Sequence, residues 1–215
     1  MGVTVKWLGH AGFQIVSEGK NVYIDPYEGE YVNKADIILV THSHFDHCDA
    51  SKIRKIRKGD TVIIAPADCA SKIGSEVRSL KPGEKVTVGN VVVEAFQAYN
   101  VKRFRSPGNP FHPKGLGVGY LITLDGKTIY HAGDTDFIPE MKKLKERKIS
   151  LALLPTGGTY TMDNPEAADA ALAINPQVAI PMHTWDTNPE EFKNKVEKSS
   201  AVKVVLLKQG DKYEL

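Results

Sequence analysis

The sequence predicts an α/β fold in a single domain spanning residues 1–215. Short apolar runs of the kind that form β-strands alternate along the chain with segments that have helical spacing. The chain has 215 residues, which lies within the size range of one domain, and 41% of them are hydrophobic, enough to bury a substantial core. The strand-like runs lie near residues 3–8, 13–16, 21–24, 36–41, 61–65, 85–97, 118–131, 150–154, 177–182 and 202–207.

Capping and turn residues mark where several of these elements begin or end. Asp49 predicts the N-cap of a helix over residues 50–57. Asp125-Gly126 predicts a hairpin turn between two strands. Asn164-Pro165-Glu166 and Asn188-Pro189-Glu190 each predict a helix that starts with an Asn cap and a proline at the first helical position.

The composition excludes several classes of protein. The formal net charge of +2 does not demand a polyanionic partner, so nucleic acid is not expected as a ligand. No apolar run approaches the length that crosses a bilayer, and residues 1–6 alternate like a strand rather than a signal peptide. Two cysteines, Cys48 and Cys69, cannot form a disulfide framework, so we expect a reducing cytoplasm.

The segment from His42 to His47 reads His-Ser-His-Phe-Asp-His and carries the strongest functional signal in the chain. It places three imidazoles and a carboxylate in one short loop, which is ligand chemistry for metal ions. The apolar run over residues 36–41 precedes it and the helix capped by Asp49 follows it. The cluster is therefore predicted at the carboxyl end of a buried strand, held rigidly at both ends.

Two distant motifs also end strands. Gly133-Asp134-Thr135 follows the predicted hairpin, and Pro181-Met182-His183 ends the strand that begins at Val178. Strands that each end in His or Asp can converge on one site. The combination of His-x-His-x-Asp-His, Gly-Asp-Thr and a strand-end Pro-Met-His resembles the metallo-β-lactamase superfamily of metal-dependent hydrolases.

The resemblance extends over the whole chain. Residues 7–13, Trp-Leu-Gly-His-Ala-Gly-Phe, followed by Ile24-Asp25-Pro26, are similar to the branch that contains ascorbate-phosphate lactonases. The resemblance implies an αββα four-layer sandwich of two mixed sheets with a dinuclear metal site along one edge. It implies that His42 and His44 hold one metal, that Asp46, His47 and His183 hold the second, and that Asp134 bridges them.

The implied ligands suit two divalent cations, with Zn²⁺ preferred and Mn²⁺ or Fe as alternatives. Such cations lower the pKa of a bound water toward about 7 and so provide a nucleophile for hydrolysis. Asp46 has a second expected role as the catalytic residue that orients this water or accepts its proton.

The third histidine of the first metal is the point where the chain departs from the family pattern. After the strand near residue 97 the sequence reads Tyr99-Asn100, and no imidazole follows until His112. Asn100 could line the site and offer its amide oxygen, or the loop over residues 106–115 could return His112 to the site. Zinc prefers an imidazole nitrogen, which favours His112. A third alternative is a site that retains only one metal tightly.

Further residues are candidates for lining the site. His10 follows the first strand and is expected either to line the site or to pack structurally. His131 is predicted as a buried, hydrogen-bonded residue, and Asp25 as an acceptor for a ligand histidine. Arg105 and Lys114 lie in the basic loop that should overhang the metals, where they could bind an anionic group, although a solvated loop is the simpler alternative.

The resemblance implies an enzyme that hydrolyses an ester, a lactone or a phosphorylated small molecule. The alternative is a phosphodiesterase or nuclease acting on nucleic acid, for which the superfamily has precedents. The near-neutral charge and the length of the chain leave no separate basic domain, which favours the small-molecule hydrolase. A homo-oligomer stays open, and the substrate is expected to be anionic.

Overall fold

A computed structural model describes residues 2–74 and 76–215, and its strands form two large mixed sheets. The first sheet has the strand order β15-β1-β2-β3-β4-β5. Strands β3, β4 and β5 run parallel, and the other neighbours run antiparallel. Its strands are β1 Thr4–Gly9, β2 Gly12–Ser17, β3 Lys20–Ile24, β4 Ile37–Leu39, β5 Val62–Ile64 and β15 Lys212–Glu214.

The second sheet has the order β14-β13-β12-β11-β10-β7-β6, with β11 to β14 parallel. A small hairpin of two short strands lies apart from both sheets. The strands are β6 Lys85–Val88, β7 Val91–Ala98, β8 Phe104–Ser106, β9 Asn109–Pro110, β10 Gly117–Leu124, β11 Lys127–His131, β12 Leu151–Pro155, β13 Val178–Met182 and β14 Lys203–Val204.

Helices cover the outer face of each sheet. The helices are α1 Ala50–Ile56, α2 Ala70–Ile73, α3 Asn164–Ile174 and α4 Glu190–Ser199, with 3₁₀ segments at Ala67–Cys69 and Pro139–Arg147. Ile53 and Ile56 of α1 pack in an apolar cluster with Ile38 of the first sheet. Ala171 of α3 and Phe192 of α4 pack in a cluster with the second sheet.

The main core lies between the two sheets. Phe13 and Ile24 from the first sheet pack in one buried cluster with Tyr120, Ile122 and Leu153 from the second. Apolar side chains on both inner faces are what a sheet-on-sheet packing requires. The predicted αββα four-layer sandwich is therefore confirmed.

Local capping explains where the helices begin. Asp49 accepts hydrogen bonds from the backbone N–H groups of Ser51 and Lys52 at the start of α1, as predicted. The predicted Asn164 cap is wrong, because Asp163 is the residue that accepts from the Glu166 N–H at 2.9 Å. An acidic side chain one residue earlier fills the same position and also faces the positive end of the helix dipole.

The fold brings several strand ends to one edge. Strands β11, β12 and β13 run parallel, so their carboxyl ends lie at one edge of the second sheet. Strand β4 of the first sheet ends beside them, where the Val118 N–H of β10 donates to the Thr41 carbonyl at 2.9 Å. The predicted Asp125-Gly126 turn connects β10 to β11, with φ values of 46° and 69° that belong to a tight hairpin. Within the described ranges, no helix is both long and apolar enough to cross a membrane. Cys48 and Cys69 are buried free thiols.

Candidate metal centre

Three imidazoles from two distant segments converge to form what we call the first ligand group. It consists of His42, His44 and His112, whose nearest ring nitrogens all lie within 4.8 Å of one another. Nε2 of His42 is 3.0 Å from Nδ1 of His44, and Nε2 of His112 is 3.2 Å from the same atom. Three ring nitrogens at this separation can fill three of the four positions of a tetrahedral coordination shell.

A second ligand group lies beside the first. It consists of Asp46, His47 and His183, and His10 joins them within the same 4.8 Å limit. Nε2 of His10 lies 3.1 Å from Oδ2 of Asp46. A carboxylate and imidazoles again form a ligand set that suits Zn²⁺.

Asp134 lies between the two groups. Its Oδ2 is 3.2 Å from Nε2 of His112 and 3.3 Å from Nε2 of His183, and its Oδ1 is 3.4 Å from Nε2 of His47. The carboxylate therefore approaches histidines from both ligand groups, which is the placement that a bridging ligand requires.

Several atoms in the centre are buried without a hydrogen-bond partner among the described residues. They are Nε2 of His47, Oδ1 of Asp134 and both ring nitrogens of His183. Unpaired buried polar atoms are rare in folded proteins, because losing water without a replacement partner is unfavourable. Imidazole nitrogens and carboxylate oxygens with free lone pairs are ligand atoms for divalent cations, so these residues fit a metal centre.

Two of the ligand histidines, His47 and His42, contact a supporting residue through Nδ1. Nδ1 of His47 is 2.7 Å from Oδ2 of the fully buried Asp25, as predicted for that residue. Nδ1 of His42 is 3.0 Å from the hydroxyl of Thr41, whose Oγ1 donates to Asp25 at 2.6 Å. These contacts orient the rings and fix which nitrogen faces the cavity. His131 is buried 2.9 Å from the carbonyl of Ala11 and is a packing residue, as predicted.

Burial and neighbouring charges shift the pKa values of the centre. Burial lowers the pKa of His42 well below its usual value. Burial also acts to lower the pKa of His47, but the charges of Asp134 and Asp25 outweigh it and raise that pKa to about 9. For Asp134, the burial penalty is outweighed by His183 and His47, which hold its pKa well below the usual range. A cation bound at His47 would therefore displace a proton at neutral pH.

Strained backbone conformations concentrate at the centre. His10, Asp25, His183 and Trp185 have φ values of 49°, 43°, 50° and 47°. Non-glycine residues in this left-handed region each cost about 1–3 kcal/mol and persist where surrounding contacts enforce them. The His10 carbonyl accepts from the His183 N–H at 3.0 Å and from Nε1 of Trp7 at 3.0 Å. These hydrogen bonds hold the backbone turns at His10 and His183 in position.

Close backbone approach explains two glycines around the site. A Cβ on Gly117 would lie 2.9 Å from Cβ of His42, and a Cβ on Gly157 would lie 2.5 Å from Cδ1 of Trp185. Either addition would push on a ligand histidine or on the aromatic wall beside it. Only glycine fits at these positions without displacing its neighbour.

The structure resolves the placement of Asn100 and His112. The loop returns the buried His112 to the centre, whereas Asn100 lies behind it, with its Oδ1 2.9 Å from Nδ1 of His112. Asn100 therefore supports His112 and does not face the other ligands, so its expected place as a lining residue is wrong. That His112 binds a metal stays a prediction.

The basic loop divides into residues with different surroundings. Arg105 lines the cavity above the metal centre, as expected. The expectation that Lys114 lines the site is wrong, because its Nζ is bound by Glu140 at 3.1 Å and lies over the ring of Tyr99. Arg103 points away from the cavity and forms ion pairs with Asp136 and Glu166.

A cavity of about 420 Å³ opens onto both ligand groups. His44, Asp46, His112, Asp134 and His183 lie at its base, and aromatic side chains with Arg105 form its walls. The aromatic residues are Phe45, Phe111, Tyr160 and Trp185. Sequence reasoning did not identify Phe45 or Trp185 as residues of the cavity wall. Their position directly beside His44 and two residues after His183 was the available signal.

A second cavity, of about 310 Å³, lies on the other side of Asp46. It shares Phe45, Asp46 and Trp185 with the first cavity and is also lined by His10 and Glu28. His10 therefore lines the site, which was one of the two alternatives for this residue, the other being structural packing. Asp46 faces both cavities.

Comparison with known proteins agrees with this geometry. A family model described as a beta-lactamase superfamily domain matches residues 4–183. A metal-dependent hydrolase of Pyrococcus abyssi is 37% identical in an alignment of 230 positions that covers 99% of this chain and 100% of the relative. A metal-dependent hydrolase of Thermococcus kodakarensis is 36% identical in an alignment of the same length, which covers 99% of this chain and 100% of that relative.

A solved structure of similar extent supports the same assignment. The chain superimposes on a metallo hydrolase from Ignicoccus hospitalis with a TM-score of 0.83 and 28% identity, covering 100% of this chain and 99% of the other. The match therefore includes both sheets and the edge that carries the metal centre. This chain belongs to the metallo-β-lactamase superfamily and is one of its metal-dependent hydrolases.

Proposed function

We propose that this hydrolase holds two divalent cations, Zn²⁺ by preference, and hydrolyses an anionic small molecule that carries an ester, lactone or phosphoester bond. The observation that carries the proposal is the pair of ligand groups sharing Asp134 at the base of a cavity whose wall includes Arg105. His42, His44 and His112 would hold one cation, and Asp46, His47 and His183 the other. The cations would supply a water of lowered pKa as the nucleophile.

Asp46 is the residue best placed to handle the proton of that water. Its Oδ2 is 3.1 Å from Nε2 of His10, which fixes the orientation of the carboxylate. Asp46 also borders both cavities, so its surface is reachable from a substrate in either one. A positioned carboxylate that accepts a proton in the transition state contributes about 10²- to 10⁴-fold to the rate.

The walls of the cavity favour a substrate with an apolar or ring-shaped body and a negative group. Phe111 and Tyr160 pack edge to face with ring centroids 4.8 Å apart, and the guanidinium of Arg105 lies 5.2 Å from the Phe111 ring centroid. Aromatic faces bind rings and acyl chains, and a guanidinium binds carboxylate or phosphate oxygens through two parallel hydrogen bonds. The second cavity gives space for the other half of the substrate beyond Asp46.

The small size and charge of the cavity favour this function over a nuclease. Arg105 is the one Lys or Arg among the residues that line the cavity in the described part of the chain. A nuclease would bind several successive phosphates, which takes several cations along a groove.

The buried free thiols of Cys48 and Cys69 fit a reducing compartment, so we also propose that the protein acts in the cytoplasm.

Metal analysis tests the proposed centre directly. Protein that is stripped with a chelator and then offered Zn²⁺ is expected to bind two equivalents, with Mn²⁺ as the alternative. Because the metals bind the folded state, stripping should lower the melting temperature. At a free metal concentration one hundred times Kd, each site should add about 2.7 kcal/mol to the free energy of unfolding. In an activity screen of the metal-loaded protein, we expect hydrolysis of a lactone, a carboxylate ester or a phosphate diester. Binding of only one equivalent would contradict the two-metal centre, and binding of less than one would contradict a metal centre altogether.

Replacing Arg105 by alanine tests the anionic substrate. We expect KM to rise by about 10- to 100-fold for an anionic ester, because a charge-assisted hydrogen bond contributes about 1.5–3 kcal/mol. The KM for a neutral ester of the same shape should change little. Lys114→Ala is the matched control, since Lys114 is a cation of the same loop whose Nζ is held by Glu140 outside the cavity. Equal effects of Arg105→Ala on both esters would show that Arg105 does not recognise the charge.

A further inference from the structure

A buried polar network lies behind His112, on the side away from the cavity. His112 comes from the loop between β7 and β10, whereas His42 and His44 come directly from the end of β4. A ligand delivered by a loop needs its own support, because a ring displaced by about 0.5 Å no longer matches the coordination geometry. The network joins this loop to the segment that carries Asp134 and to helix α3.

Asn100 closes the base of this loop. Its backbone N–H donates to the His112 carbonyl at 2.8 Å, and its Oδ1 accepts from the His112 backbone N–H at 2.7 Å. Nδ1 of His112 lies 2.9 Å from the same Oδ1. One amide side chain thus holds both the backbone and the ring of His112.

The orientation of the Asn100 amide is determined by its other contacts. Its Nδ2 donates to Oδ1 of Asp136 at 3.1 Å and to the Tyr160 carbonyl at 3.0 Å, and both of these atoms are acceptors. A reversed amide would place oxygen against oxygen at two contacts and NH₂ against the His112 N–H. The oxygen of Asn100 must therefore face His112.

A carbonyl oxygen can only accept, so the contact with Asn100 requires a proton on Nδ1 of His112. In the neutral imidazole this leaves the lone pair on Nε2. That atom lies 3.2 Å from Oδ2 of Asp134 and 3.2 Å from Nδ1 of His44, on the side that faces the ligand groups. The network therefore selects the tautomer that can bind a metal.

Asp136 fixes Asn100 in turn. It is fully buried, and its Oδ2 accepts from the backbone N–H groups of Val101 and Lys102 at 2.7 Å each. Its Oδ1 accepts from Nη1 of Arg103 at 2.7 Å, and Arg103 also pairs with Glu166 of α3. Asp136 lies two residues after Asp134, so one short segment presents a carboxylate to the metals and another to the loop that carries His112.

We infer that Asn100, oriented by Asp136, is a positioning residue that fixes His112 as the Nδ1-protonated tautomer and thereby creates the first metal site. The inference rests on the metal centre of the proposed function. In this chain two residues take the place of the histidine that the superfamily pattern places after β7. His112 binds the metal and Asn100 holds His112 in position. Loss of the support should weaken the first metal selectively, because the second ligand group has no contact with Asn100 in the described structure.

Asn100→Leu tests the inference, with Asn164→Leu as the matched control. Both positions are buried asparagines, but the Nδ2 of Asn164 donates to the Asn188 carbonyl far from the metals. In a Zn²⁺ titration against a competing chelator, Asn100→Leu should bind one metal normally and the other about 10- to 100-fold more weakly, the usual effect of removing an outer contact of a ligand histidine. His44→Ala and His183→Ala identify which step belongs to which ligand group.

The tautomer gives a readout that is independent of metal and of activity. In ¹⁵N spectra of histidine-labelled, metal-free protein, His112 should show a protonated Nδ1 in the parent and in Asn164→Leu, and a mixture of tautomers in Asn100→Leu. Asp136→Asn is a second variant with the same expected shift, because an amide has only one acceptor oxygen, which cannot serve both Nδ2 of Asn100 and the backbone N–H groups of Val101 and Lys102. A parent His112 that is protonated on Nε2 alone, with no proton on Nδ1, or unchanged two-metal binding by Asn100→Leu, would overturn the inference. A parent with the expected tautomer that binds no metal would instead contradict the proposed function.

Discussion

Replacement of Asp134 by alanine is expected to remove both metals and nearly all activity. Asp134 approaches Nε2 of His112, His183 and His47 at 3.2, 3.3 and 3.4 Å, so its loss affects both ligand groups. Without this carboxylate, cationic metals would lie among neutral imidazoles with only Asp46 to offset their charge. Metal ions supply several kcal/mol of transition-state stabilisation, and about 4 kcal/mol corresponds to about 10³-fold in kcat/KM.

Metal content and kcat/KM, measured on the same preparation, check this expectation. Asp169→Ala is the control, because Asp169 is an exposed aspartate on α3 whose contact is an ion pair with Lys195 at 2.6 Å. Surface pairs of this kind contribute about 0–1 kcal/mol, so the control should retain metal and activity. A further measurement is the pKa of His47 in the metal-free proteins. It should be lower in Asp134→Ala than in the parent, because the charge of Asp134 is one of the causes that raise it. An Asp134→Ala protein that still holds two equivalents would contradict the bridging role.

The local parts of the site could be predicted from the sequence because they are sequential. The spacing from His42 to His47 places four candidate ligand residues in one loop, and the apolar run before it indicates the strand that holds the loop. Asp134 and His183 follow strands that run parallel within one sheet, so their convergence follows from the direction of those strands. The α/β class was predictable because strand-like runs alternate with helical segments along the chain, whereas the four-layer sandwich was expected from the family resemblance.

The loop that carries His112 could not be predicted in the same way. Its path depends on Asp136, whose Oδ2 accepts backbone N–H groups of Val101 and Lys102 that are more than thirty residues away in sequence. Lys114 shows the same limit, because Glu140 and Tyr99 hold its ammonium group away from the cavity that its position suggested. Long-range polar contacts of this kind have no periodic signature in the sequence.

The Asn164 cap illustrates a smaller limit. Asp163 and Asn164 are adjacent and both can cap a helix, so composition alone does not choose between them. In the structure Asp163 accepts from the Glu166 N–H, and the Nδ2 of Asn164 donates to the Asn188 carbonyl near the start of α4. The boundary therefore follows from packing between α3 and α4.

Replacement of Asp46 by asparagine should separate proton transfer from metal binding. Asparagine keeps the shape of the side chain and one oxygen for the metal, but it cannot accept a proton from water at neutral pH. We therefore expect kcat to fall by about 10²- to 10⁴-fold, the usual contribution of a positioned general base. The affinity for the second metal should fall by a smaller factor, because His47 and His183 remain in place.

The comparison of kcat with metal content at saturating Zn²⁺ decides the role of Asp46. Asp49→Asn is the matched control, since it makes the same chemical change three residues away, at a helix cap where asparagine serves as well as aspartate. His10→Ala adds a second test, because His10 holds Oδ2 of Asp46 at 3.1 Å. Its loss should lower kcat by less than Asp46→Asn does, because the carboxylate remains but loses the contact that orients it. If Asp46→Asn keeps the parent's kcat while fully loaded with metal, Asp46 is a ligand alone and another group must accept the proton.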